Sequence, residues 1–195
     1  MSKIVSKEFF SENVVKLEVE APLIARSRKA GHFVIVRVDA NGERIPLTIA
    51  DSDTEKGTIT LVIQKIGASS TKITNLNVGD ELLDVVGPLG KATHIDKFGT
   101  VVCSGGGVGV APLLPIIKAM KAAGNKVISV LAARTKDLVI LEEQVREYSD
   151  EVVIMTDDGS YGKAGRVTDG IEEIAKREKV DLCVTIGPAI MMKFV

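Results

Sequence analysis

Hydrophobic positions follow two different patterns along the chain, and the change comes near residue 98. Before it, short runs rich in Val, Ile and Thr occupy residues 3–9, 13–20, 31–38, 44–50, 57–66 and 80–87. Val34, Val36 and Val38 alternate with Ile35, Arg37 and Asp39, the period of a half-buried strand. Turn formers separate the runs: Ser11-Glu12-Asn13, Asn41-Gly42, Glu55-Lys56-Gly57 and Val78-Gly79-Asp80. Six short strands with regular turns predict a small antiparallel β-barrel or sandwich, with one short helix over residues 69–76.

After residue 98, strands alternate with helices. Strands are expected at 100–103, 126–133, 151–156 and 181–186. A helix over 109–123 places Val110, Leu113, Leu114, Ile117 and Met120 at helical spacing, and Pro112 suits its first turn. Pro115 lies at or just beyond that turn, which predicts an irregular start. Further helices are expected over 138–148 and after Thr168, read as a cap for a helix carrying Ile171, Ile174 and Ala175. Such alternation implies a parallel sheet with helices on both faces. The pattern therefore predicts an N-terminal antiparallel barrel over 1–97 and an α/β parallel-sheet domain over 98–195. Residues 188–195 begin like a helix and stop, so the second domain reads as a fragment of something longer.

Composition narrows the function classes. The 195 residues carry 25 Lys plus Arg against 26 Asp plus Glu, a formal net charge of −1. That leaves no electrostatic footprint for nucleic acid, and no basic cluster is visible. At 45% hydrophobic and 26% charged residues the chain reads as an ordinary globular protein rather than a disordered one. No apolar run approaches the length of a membrane helix, and no signal peptide is legible, so a cytoplasmic location is expected. Cys103 and Cys183 both fall in strands predicted to be buried and are read as apolar core residues. With His32 and His94 far apart, no metal site is expected.

The densest chemistry lies in Ser104-Gly105-Gly106-Gly107-Val108-Gly109-Val110-Ala111-Pro112, read as a loop between a strand and a helix. Glycines there let backbone approach a ligand, and a helix start offers N–H groups to phosphate. The usual dinucleotide spacing is not met, because Val110 stands where its third glycine belongs. Three more loops leave the expected carboxyl ends of strands, where open α/β sheets bind ligands: Arg134-Thr135-Lys136-Asp137, the loop from Asp157 and Asp158 to Gly162, and Gly187-Pro188 onward. Arg134 is a surface charge or a nucleotide ligand, and Asp157 with Asp158 a solvated turn pair or a functional one. In the first half, Arg44-Ile45-Pro46-Leu47-Thr48 puts an Arg fork and a hydroxyl on one strand, and Gly67-Ala68-Ser69-Ser70-Thr71 precedes a short helix. Gly87-Pro88-Leu89-Gly90 reads as a turn or a plain connector.

Taken in order, Arg-x-Pro-x-Thr, Gly-x-Ser-Ser-Thr, Gly-Pro-Leu-Gly, Gly-Gly-Gly-Val-Gly-x-Ala-Pro, Ala-Arg, Asp-Asp-Gly-Ser-Tyr-Gly and Gly-Pro-x-x-Met-Met resemble the ferredoxin–NADP reductase superfamily over essentially the whole chain. Within it the chain is most similar to the small flavin subunits of NADH-dependent ferredoxin:NADP oxidoreductase (sulfide dehydrogenase) and to electron-transfer subunits of dihydroorotate dehydrogenase. The resemblance implies an FAD-binding barrel, an NAD(P)-binding α/β domain, and an oxidoreductase that moves a hydride between NAD(P)H and FAD. It implies that electrons then pass to or from an iron–sulfur partner. It assigns Thr48 to the flavin edge near N5 as the catalytic contact, and Arg44 to the pyrophosphate. Arg44 stands four residues before Thr48, where the family's arginine stands three before its hydroxyl residue.

The resemblance puts Leu47 in place of the family's flavin-stacking aromatic. It also places Pro46, Ile63, Gly67, Ser69, Ser70 and Thr71 with the FAD set. Gly105, Gly106, Gly107, Val108 and Gly109, with Arg134, Asp157, Gly187 and Pro188, would serve NAD(P)H. Ile186 replaces the cysteine of the family's Cys-Gly-Pro motif. A 2Fe-2S cluster is expected only in a longer form of the chain. The implied partner is a larger redox subunit, glutamate synthase-like or dihydroorotate dehydrogenase-like, with ferredoxin a further candidate. The rival readings are a non-catalytic nucleotide-binding regulatory subunit and a stand-alone NAD(P)H flavin reductase.

Overall fold

A computed structural model describes all residues, Met1 to Val195. The backbone contacts divide the chain into two units, Met1–Thr93 and His94–Val195.

The first unit is one seven-stranded sheet in the order β6-β1-β2-β5-β4-β3-β7. Its strands are β1 (Ser2–Ser11), β2 (Val14–Glu20), β3 (Phe33–Arg37), β4 (Ile45–Asp53), β5 (Thr58–Gln64), β6 (Glu81–Leu82) and β7 (Asp84–Leu89). The two ends of that order, β6 and β7, are separated in sequence by Leu83 alone, so the antiparallel sheet must curl back on itself into a barrel. Inside it pack Ile4, Leu17, Val34, Val36, Ile49, Ile59, Leu61, Ile63 and Leu82, all nearly fully buried. Helix α1 (Pro22–Ser27) buries Ile24 and Ala25 against this core. Six residues are too few to show a helical period, which is why the pattern of the chain does not announce it. Helix α2 (Ala68–Thr74) starts one residue before the expected position. Residues 87–89 are not a connector: β7 runs to Leu89 and pairs with β3.

The second unit is a parallel sheet in the order β11-β10-β9-β8-β12. Its strands are β8 (Thr100–Gly106), β9 (Lys126–Ala133), β10 (Glu151–Thr156), β11 (Lys163–Ala164) and β12 (Leu182–Ile186). Helix α3 (Val110–Ala122) packs on one face. Helix α5 (Val167–Arg177) covers the other, where Val167 and Ile174 join Val102, Ile128, Val130, Val153 and Met155. Two short helices, α4 (Glu142–Glu147) and α6 (Ala189–Phe194), complete it. Residues 94–97, expected with the barrel, go with this unit. The buried Asn125 side chain donates to Asp96 O at 2.8 Å and accepts from Phe98 N and Gly99 N at 2.7 and 3.0 Å.

Thr168 is not the helix cap: Arg166 is, and the Asp169 carboxylate accepts the Arg166 N–H at 2.7 Å. The helix expected over 138–148 is shortened to α4, after a tight turn at Lys136–Leu138. Cys183 is exposed rather than buried, because β12 is an edge strand paired only with β8. Cys103 is buried, and that burial, with a smaller push from Cys183, raises its thiol pKa to about 12. No helix is long and apolar enough to cross a membrane.

Candidate functional site

In the barrel, strand alternation sorts the residues at 44–48. Ile45 and Leu47 pack against the interior, so Arg44, Pro46 and Thr48 share the outward face. Leu47, partly buried, lies on the opposite side of the strand from Thr48. In the antiparallel register Phe33 lies opposite Thr48 and Ile35 opposite Pro46, and such partners point to the same side. Phe33, half-buried, is the aromatic on Thr48's face. Its ring fills the place beside Gly90, where a Cβ would meet Phe33 Cε1 at 2.9 Å. Sequence pattern alone missed it, since the alternation of β3 does not say which strand lies alongside. Ile63 is 2% exposed, inside the barrel, and offers no surface to a cofactor.

Arg44 is not free. It lies 3.5 Å from Asp84, whose carboxylate also takes Arg37 Nε at 2.7 Å. The strand at 44–48 and the segment at 67–71 come together, because the Ser69 hydroxyl donates to Glu43 and Lys72 pairs with Asp39. Ser70 serves the turn itself. Its hydroxyl accepts Ile66 N and Gly67 N at 3.0 Å each and donates to Gly67 O at 3.1 Å, which exhausts a serine's capacity. Thr71 is half-buried at the start of α2. Gly67 is exposed, and a Cβ there would meet nothing within 4 Å. The first-turn amides of Ala68, Ser69 and Ser70 have no acceptor inside the helix. A phosphate fits this open corner.

In the second unit the Gly-rich stretch is not one loop. Strand β8 runs through Gly105 and Gly106, a single tight turn covers Gly107–Gly109, and α3 follows. Pro112 sits in its first turn, and Pro115 is accommodated inside the helix. The glycines have different reasons. A Cβ on Gly105 would strike Val110 Cγ2 at 2.9 Å, one on Gly106 the Met191 sulfur at 2.4 Å, and one on Gly109 the Ile186 carbonyl oxygen at 2.4 Å. These three keep α3, β12 and α6 close to β8. Only Gly107, with φ +55°, opens onto space free of any atom within 4 Å. Gly107, Val108 and Gly109 are half-buried, and Gly107 is the one glycine of the stretch with open space where a side chain would stand. Gly187 packs against Met191, and Pro188 precedes α6 and is exposed.

Arg134 and Asp157 are both exposed at the carboxyl edge of β9 and β10. Their loops are adjacent: Asp157 N and Asp158 N donate to Ala133 O and Arg134 O at 3.1 and 3.3 Å. Asp158 turns inward on its own loop, where the Ser160 hydroxyl and amide bind its carboxylate and hold its pKa below the usual range.

A curled antiparallel barrel followed by a parallel sheet, with an open glycine at one helix start in each, is the architecture of a two-domain flavin and nicotinamide-nucleotide oxidoreductase. Comparison with known proteins agrees. Residues 1–94 match the oxidoreductase FAD-binding domain family, and residues 104–195 match the oxidoreductase NAD-binding domain family. A "dihydroorotate dehydrogenase B (NAD(+)), electron transfer subunit homolog" of Thermotoga maritima is 43% identical over 194 residues, covering 100% of this chain and 68% of that protein. The corresponding electron transfer subunit of Bacillus caldolyticus is 33% identical, covering 97% of this chain and 75% of its own length. A solved structure of an NADH-dependent reduced ferredoxin-NADP oxidoreductase superposes with a TM-score of 0.95 at 40% identity, over 100% of this chain and 70% of that one. The chain belongs to the ferredoxin reductase-like family of FAD- and NAD-binding oxidoreductases that includes the dihydroorotate dehydrogenase B electron transfer subunits.

Proposed function

We propose that this chain is the nucleotide-handling electron-transfer subunit of a larger cytoplasmic redox enzyme, taking a hydride from NAD(P)H onto FAD. The observation that carries the barrel half of this reading is the Ser69 to Glu43 bond, which draws the strand of Thr48 and the open start of α2 to one place. When bound, FAD supplies the redox chemistry, accepting two electrons as a hydride and releasing them singly.

The residues of the chain bind and orient. The amides of residues 68–70 beside Gly67 take the FAD pyrophosphate, with Ser69 and Thr71 flanking it. Arg44, which shares the Asp84 carboxylate with Arg37, adds a cation nearby. The Thr48 hydroxyl supports flavin N5, and Phe33 and Pro46 on the same face wall the ring. In the second unit Gly107, Val108 and the first turn of α3 take the nicotinamide nucleotide's pyrophosphate, while Arg134 and Asp157 meet its adenosine half.

The electrons then go to a larger partner subunit, dihydroorotate dehydrogenase-like or glutamate synthase-like, or to ferredoxin. The test is direct: the purified chain is denatured in acid, its flavin is chromatographed, and the native protein is assayed for NAD(P)H-driven ferricyanide reduction. FAD in near-stoichiometric amount with diaphorase activity is expected. FMN alone, or a colourless inactive protein, would overturn the proposal.

A further inference from the structure

The loops after β9 and β10 are tied to each other beyond the ends of the strands. The Lys136 amide donates to Ser160 Oγ at 2.9 Å, and the Lys136 ammonium stands 5.4 Å above the centre of the Tyr161 ring. At the far end the Tyr161 hydroxyl donates to Glu142 Oε1 at 3.0 Å. The same oxygen accepts Arg146 Nε at 2.8 Å, which raises the arginine's pKa. Thr156, fully buried, closes the base of the second loop by donating to Tyr161 O at 2.7 Å. Glu142 opens α4, and the residue before it, Leu141, holds φ +58° and ψ +22°. A leucine in the left-handed region is strained and persists only where its surroundings fix it. It is the only residue other than glycine in the chain with a positive φ. The backbone thus bears strain at the step that delivers Glu142 to Tyr161.

We infer that Tyr161 and Glu142 are positioning residues for the nicotinamide nucleotide: their hydrogen bond latches the loops carrying Arg134 and Asp157 into one binding edge. The inference rests on the proposed function, in which that edge receives the nucleotide's adenosine half. Neither side chain touches the nucleotide in this account. Without the latch the backbone bonds from Asp157 N and Asp158 N to Ala133 O and Arg134 O remain, but the loop from Asp157 to Gly162 loses its brace against α4, and the Arg134 and Asp157 side chains are held less firmly at the edge. Nucleotide affinity then falls while the flavin chemistry at saturation stays intact.

The experiment uses the FAD-loaded chain, with Kd for oxidised and KM for reduced nucleotide measured for both NAD and NADP forms. Tyr161→Phe and Glu142→Ala should each raise Kd and KM of the preferred nucleotide by about 2- to 12-fold, the range of one net hydrogen bond. kcat and flavin content should remain at the wild-type level. The double variant should be no weaker than either single one. Glu142→Gln, which keeps the acceptor oxygen, should restore affinity. Wild-type Kd and KM in both Tyr161→Phe and Glu142→Ala, with Arg134→Ala impaired, would overturn the latch and leave the nucleotide edge standing. Wild-type affinity in Arg134→Ala as well would overturn both. A Glu142→Gln as weak as Glu142→Ala would assign the effect to charge and also overturn the latch.

Discussion

Replacing Gly67 with alanine separates a glycine kept for a ligand from one kept for packing. The backbone at Gly67 is extended, with φ −128° and ψ −176°, which any residue adopts. A methyl group there meets no atom of the protein within 4 Å. The cost to folding is then limited to replacing glycine by alanine at a helix N-cap, about 1 kcal/mol or less. In a chain of this size that moves Tm by no more than about 4 °C. The same methyl group stands where phosphate oxygens would approach the amides of residues 68–70. Losing one hydrogen bond to a charged group costs about 1.5–3 kcal/mol, or about 10- to 150-fold in Kd. Titrating the flavin-free protein with FAD, followed by flavin fluorescence and by thermal unfolding, reads both quantities. An FAD affinity within twofold of wild type would refute the pyrophosphate assignment. A large fall in Tm would show instead that Gly67 serves the fold.

Gly109→Ala should behave in the opposite way. Its Cβ would fall 2.4 Å from the Ile186 carbonyl oxygen and 2.9 Å from Gly187 Cα, backbone that cannot rotate away, so thermal unfolding should show about 1–3 kcal/mol of lost stability. Thr48→Val should leave Tm unchanged and slow flavin reduction in stopped flow by about tenfold, the worth of one hydrogen bond; reduction at the wild-type rate would remove Thr48 from the site. Folded protein should be alkylated at Cys183 and not at Cys103. With a thiol pKa of about 12, Cys103 is thiolate in only about one part in ten thousand at pH 8, and mass spectrometry after maleimide labelling distinguishes the two.

The division into an antiparallel and a parallel half could be read from hydrophobic period alone, because strand alternation and strand-helix alternation are both local patterns. β9 and β10 fall on their expected residues for the same reason. What could not be read is what depends on neighbours distant in sequence. Alternation places Leu47 and Thr48 on opposite faces, but only the closure of the barrel says that Leu47's face is the interior. Phe33 joins Thr48 and Pro46 on one outward face only through its register with Thr48. The four glycines between 105 and 109 look alike in sequence, and their different purposes come from Val110, Met191 and Ile186 lying against three of them. Cys183 looked buried because its strand is apolar, and the sheet order leaves that strand at an edge. The latch between Tyr161 and Glu142 spans 19 residues and leaves no periodic trace.

The central claim is that these residues bind FAD and let NAD(P)H reduce it, and an anaerobic titration tests it most directly. The FAD-loaded chain is mixed with increasing NADH or NADPH, and the flavin absorbance near 450 nm is followed. The account predicts bleaching that ends at one nucleotide per FAD with at least one of the two donors, because a hydride carries both electrons the flavin takes. A flavin that stays oxidised at a large excess of both donors would contradict it.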